Sequence, residues 1–106
     1  MRRSADFSSV VRAGARVGGR RLVVHQQIER AEPAALVGLV VSKSVGGSVA
    51  RHRVSRRLRA QLAQRLGGLP TGSATVVRAL PAAQNASSAQ LGAELDRALQ
   101  RLASRR

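Results

Sequence analysis

Between Gly46 and Gln61 the chain reads GGSVARHRVSRRLRAQ, with apolar residues every four positions at Ala50, Val54, Leu58 and, just beyond, Leu62. At about 100° per residue these side chains fall within roughly 120° of arc, which predicts a helix with one buried stripe. Such a stripe needs a layer to lie against. The preceding run LVGLVVSK, Leu36 to Lys43, is apolar at consecutive positions and predicts a central strand covered on both faces. After the helix, closed near Leu66 by GGLP, SATVVRAL predicts another strand rich in β-branched residues. Strand, helix and strand in this order fit a parallel crossover.

The flanks complete the pattern. Ser4 caps a short opening helix whose Phe7, Val10 and Val11 share a face, with Asp6 near the positive end of its dipole and Gly14 as its stop. RLVVHQQIE, Arg21 to Glu29, predicts a strand, and RAEPAA a turn. The glycines of GARVGG predict turns, because no strand–glycine–helix context with a phosphate-loop lysine surrounds them. Ser48 is the expected cap of the arginine-rich helix, and PAAQN reads as a loop. Ser87 with Gln90 predicts a capping box, and Leu91, Leu95, Ala98, Leu99 and Leu102 form the stripe of a last helix. The order α-β-β-α-β-α predicts a single-domain α+β sandwich over residues 1–106, a small sheet backed by helices.

Charge narrows the function. Eighteen arginines and one lysine face only Asp6, Glu29, Glu32, Glu94 and Asp96, for a formal net charge of +14. On the central helix His52, Arg53, Arg56 and Arg59 project away from the stripe, Arg57 flanks them, and Arg51 in the first turn points nearer the stripe. A solvated helix face would pair such cations with acids at i,i+4, but there is no acid from Pro33 to Ala93. The face therefore predicts a polyanion, and arginine's planar fork suits phosphate oxygens. The chain has no cysteine, so disulfides and thiolate zinc are excluded. No apolar run approaches the roughly 18 residues of a membrane span. Five acids and two histidines, with no nucleophile beside a base, meet the requirements of a protein active site poorly. Asp6 argues against reading the arginine- and serine-rich start as an import signal, so a cytoplasmic protein is expected.

The stretch VGLVVSKSVGGSVARHRVSRRLR, Val37 to Arg59, resembles the signature of the bacterial ribonuclease P protein component: an apolar strand ending in Ser-Lys, a glycine turn, and a helix beginning Arg-x-Arg. RRSADFSSVVRAG resembles that family's opening helix, and VVRALP its last third, so the resemblance spans almost the whole chain. It implies a sheet of about four strands with three helices and a left-handed βαβ crossover, against the general right-handed preference. It also implies a non-catalytic subunit of an endoribonuclease that removes the 5′ leader of precursor tRNA. In that family an RNA subunit performs the Mg²⁺-dependent hydrolysis, and no small-molecule cofactor or membrane is involved. Carried onto this chain, Lys43, Arg51, His52, Arg53, Arg56, Arg57 and Arg59 would contact the RNA subunit, and Phe7, Val11, Arg20 and His25 the single-stranded leader.

Some positions depart from the pattern. Ser44 and Ser55 stand where lysine is common, Gly47 and His52 where asparagine is frequent, and Val11 and His25 where an aromatic residue is frequent. Phe7 is the only aromatic side chain, so base stacking has a single candidate. A small basic ribosomal or other structural RNA-binding protein shares the size and charge. A DNA-binding architectural protein would be expected to dimerise and prefer duplex.

Overall fold

The computed structural model of the chain describes residues 14–28 and 35–105. The opening helix expected around Ser4 to Val11 and most of the RAEPAA turn lie outside them. Four strands, β1 (Ala15–Gly18), β2 (Leu22–Gln27), β3 (Leu36–Val40) and β4 (Ala74–Ala79), form one sheet in the order β1-β2-β4-β3. The β1/β2 and β2/β4 pairs are antiparallel, and β3/β4 is parallel. Between the parallel strands runs α1 (Ser48–Ala63), and α2 (Ser88–Ser104) follows β4. The fold is α+β, with the crossover connection that the strand–helix–strand pattern predicted.

Both described helices cover one face of the sheet. Val54, Leu58 and Leu62 of α1 and Leu91, Leu95, Ala98 and Leu102 of α2 pack with Val17, Leu22, Val24, Val77 and Ala79. Strand alternation sends their neighbours to the other face, where Ala74 and Val76 pack with Leu36 and Val40. The capping box of α2 is formed: the Ser87 hydroxyl accepts from the Gln90 amide at 3.1 Å, and the Gln90 carboxamide oxygen accepts from the Ser87 amide at 2.9 Å.

Five local expectations are corrected. GARVGG is not only turns: β1 lies in it, with Val17 buried in the core. Ala15 and Val17 stand two apart, but a single alternating pair set among glycines is too short to signal a strand by pattern. The apolar run at Leu36 is an edge strand among the described residues, and β4 is central. The run signalled apolar partners on both faces, which a parallel edge strand also has. That strand stops at Val40, and Lys43 opens a 3-10 turn, Lys43–Val45. Finally, α1 is capped by Gly47 without a side-chain bond, Ser48 being its first helical residue, and PAAQN is a 3-10 turn, Pro81–Asn85.

Two glycines mark close approaches. A Cβ on Gly92 would run into the Gln61 carboxamide and the Arg65 guanidinium where α2 crosses α1. A Cβ on Gly19, in the β1–β2 turn, would lie 2.5 Å from Oε2 of Glu94. That carboxylate accepts the backbone N–H groups of Arg21 at 2.9 Å and Leu22 at 2.7 Å, so α2 holds the hairpin by its turn.

Candidate nucleic-acid interface

On α1 the burial pattern follows the four-residue repeat. Val54, Leu58 and Leu62 are buried, while His52, Arg56 and Arg59 are exposed on the far side, with exposed Lys43 in the turn before the helix. Arg51, Arg53 and Arg57 are half-buried. Arg53 thus sits lower on the helix than its expected place on the outward face. The tertiary reason is the turn before α2: Nη2 of Arg53 donates to the Gln84 carbonyl at 3.3 Å, and Nη1 of Arg57 to the Ala86 carbonyl at 2.8 Å. These bonds fix one edge of each guanidinium and leave other N–H donors to meet an anion. Nε of Arg51 is buried without a hydrogen-bond partner.

No acid among the described residues opposes this face. The described residues contain two, Glu94 and Asp96, both on α2 and both engaged. Glu94 clasps the hairpin and has Nη1 of Arg21 at 3.5 Å. Asp96 takes both arms of Arg65, Nε to Oδ1 at 2.7 Å and Nη2 to Oδ2 at 3.1 Å. The hydrogen bond from Arg65 holds the Asp96 carboxyl below the usual carboxylate range. Arg65 also donates to the Gln61 carbonyl at 2.7 Å and the Gly92 carbonyl at 3.3 Å, joining the end of α1 to α2.

The residues predicted for a leader cleft are not gathered by the described structure. Phe7 and Val11 lie outside the described residues. His25 is on the sheet face away from α1 and α2, opposite Arg16 and diagonal to Arg78. It is 3% exposed, and neither ring nitrogen has a hydrogen-bond partner. Burial first, then the charges of Arg78 and Arg16, hold its pKa below the ordinary imidazole value. The ring is therefore neutral at pH 7, flanked by two exposed arginines. Arg20 is elsewhere, exposed in the β1–β2 turn beside Arg97 and Arg101 of α2. Arg16 and Arg78 were not singled out from sequence. The available signal was alternation, which puts Arg78 on the same side as Val76.

Among the described residues no three of His, Cys, Asp and Glu come together in a way that could hold a metal ion. No described helix is long and apolar enough to cross a membrane. What the site offers chemically is fixed and free guanidinium donors on a convex helix, a surface for phosphate oxygens.

Comparison with known proteins agrees with this geometry. The family model described as Ribonuclease P matches residues 1–103. The chain is 49% identical over 110 residues to the ribonuclease P protein component of Streptomyces bikiniensis, covering 96% of this chain and 89% of that one. It is 50% identical over 103 residues to that of Acidothermus cellulolyticus, covering 96% and 86%. The solved RNase P protein of Staphylococcus aureus superimposes with a TM-score of 0.84 at 23% identity, over 94% of this chain and 91% of that one. That likeness is one of fold, and the four-stranded sheet with its two described helices and 3-10 turns is shared. With a family model spanning nearly its whole length and relatives close to half identical, the chain belongs to the ribonuclease P protein component family.

Proposed function

We propose that this chain is the RNA-binding, non-catalytic subunit of a cytoplasmic ribonuclease P that removes the 5′ leader of precursor tRNA. The observation that carries the reading is the outer face of α1, where His52, Arg56 and Arg59 stand exposed with no acid near them among the described residues. With Lys43, Arg51, Arg53 and Arg57 they form the surface offered to the RNA subunit. The leader contacts are assigned to Phe7, Val11, Arg20 and His25; of these His25 lies on the sheet face away from α1 and α2 with Arg16 and Arg78 beside it, and Arg20 lies in the β1–β2 turn. Mg²⁺ bound by the RNA partner supplies the hydrolytic chemistry. The protein neutralises phosphate charge, so its addition lowers the Mg²⁺ needed for RNA folding and substrate binding.

Reconstitution with the cognate RNA subunit tests this. RNA-free protein should leave precursor tRNA intact, while the reconstituted complex should cleave it at lower Mg²⁺ than the RNA alone. Phe7→Ala should weaken binding of precursor tRNA but hardly change that of mature tRNA, which has no unpaired leader to stack. Cleavage by rigorously RNA-free protein, or stoichiometric association with ribosomes and no effect on tRNA processing, would overturn the reading.

A further inference from the structure

The β1–β2 turn and α2 enclose a groove of about 300 Å³, lined by Gly18, Gly19, Arg20, Arg97, Ala98 and Arg101 among others. Arg97 and Arg101 on α2 and Arg105 just past its end recur every four residues, and all three are exposed. Like charges at this spacing repel and oppose a helix, so the row needs a reason. Intramolecular pairing does not supply one: Arg20, Arg97 and Arg101 make no hydrogen bond or ion pair among the described residues. Arg105 is held by a 2.8 Å bond from Nη1 to the Arg16 carbonyl.

The one carboxylate at the groove, Glu94, is not available to them. Its side chain is 6% exposed, Oε2 accepts two backbone N–H groups, and Oε1 faces Arg21. It acts instead as the floor that holds Arg21 and Leu22, and with them the hairpin turn, against α2. The groove therefore presents three unpaired guanidiniums around a space open to an anion. No large exposed apolar residue adjoins it, Val49 and Leu66 being the two on the described surface, which disfavours a lipid surface.

We propose that this groove is a second seat for backbone phosphates of RNA, separate from the outer face of α1. α2 packs over β1 and β2, whereas α1 lies toward β3, so the two cationic surfaces flank opposite sides of the helical layer. The chain thus bridges two stretches of phosphate backbone. The proposal rests on the RNA-binding function above. The phosphates come either from the RNA subunit or from the tRNA body, and the experiment separates these sources.

The full chain is compared with Arg97→Ala/Arg101→Ala, Arg97→Lys/Arg101→Lys and, as a control on the other surface, Arg56→Ala/Arg59→Ala. Affinity for the RNA subunit, and affinity of the reconstituted complex for mature tRNA, are measured across a salt series. Removing the α2 pair should lower the slope of log affinity against log salt, for one of the two RNAs, by about 0.7–0.9 for each phosphate that is no longer neutralised. Affinity near physiological salt should fall roughly tenfold, as expected when two phosphates lose their cations. The lysine pair should keep the slope, since charge sets it. A change on the RNA-subunit arm assigns the groove to the holoenzyme's own RNA, and a change on the tRNA arm assigns it to substrate. If the alanine pair matches wild type on both arms while the α1 control weakens binding, this proposal is wrong and the functional reading stands. If the wild-type chain does not bind the RNA subunit, both fall.

Discussion

Replacing Glu94 by alanine should destabilise the protein far more than a surface acid would. The carboxylate is buried, accepts N–H groups from Arg21 at 2.9 Å and Leu22 at 2.7 Å, and sits 73 and 72 residues away from them in sequence. Removing it leaves two backbone donors without a partner, each costing about 1–3 kcal/mol. Because the Arg21 amide is only partly buried, water can recover part of this, and we place the total at ~3 kcal/mol. For a domain of this size that corresponds to a fall in Tm of roughly 12–24 °C. Glu94→Gln keeps an oxygen in place for both donors and loses only the charge assistance, so it should cost about 1 kcal/mol. Gly19→Ala attacks the same clasp from the other side, since its Cβ would lie 2.5 Å from Oε2, and should resemble Glu94→Ala. Thermal unfolding by circular dichroism, with hydrogen exchange at the Arg21 and Leu22 amides, measures all three. A Glu94→Ala protein melting within about 3 °C of wild type, or a glutamine variant as damaged as the alanine one, would refute the reasoning.

His25 should make stability depend on pH. Its folded pKa lies below the ordinary 6.5, through burial and then Arg78 and Arg16, so the unfolded chain binds a proton more readily. This contribution is complete above about 6.5 and is lost as pH falls from there toward the folded value. Wild type should therefore lose more Tm than His25→Leu between about pH 7.5 and 5.5, and equal losses would contradict the assignment. Arg65→Ala removes the fork to Asp96 and the link to the Gly92 carbonyl. Since Asp96 is largely exposed, the expected cost is only about 1 kcal/mol, read as a lower urea midpoint. Arg65→Lys should recover little of it, because an ammonium cannot span both carboxylate oxygens.

Much of the framework was legible without coordinates, because it is written in local periodicity. Val54, Leu58 and Leu62 specify which side of α1 is buried whatever it meets, and Ser87 with Gln90 caps α2 through bonds spanning three residues. The parallel crossover follows from element order, and the cationic outer face of α1 from the lack of acids between Pro33 and Ala93. What the pattern could not carry is the identity of distant partners. An apolar residue signals that it will be covered, not by which element, so the Leu36 run looked central and proved to be an edge strand. Polar side chains signal even less. Arg53 and Arg57 look alike with Arg56 along the helix, yet the packing of the Pro81–Asn85 turn beside α1 gives two of the three a carbonyl to hold. Glu94 is an ordinary acid on an amphipathic helix until α2 lies over the β1–β2 turn, and only that docking turns it into a clasp and assembles Arg20, Arg97 and Arg101 around one groove. Composition and spacing determine how much charge each surface carries. Where that charge is tied down and where it is left unpaired is decided by interactions between residues dozens of positions apart, which exist only once the layers have packed.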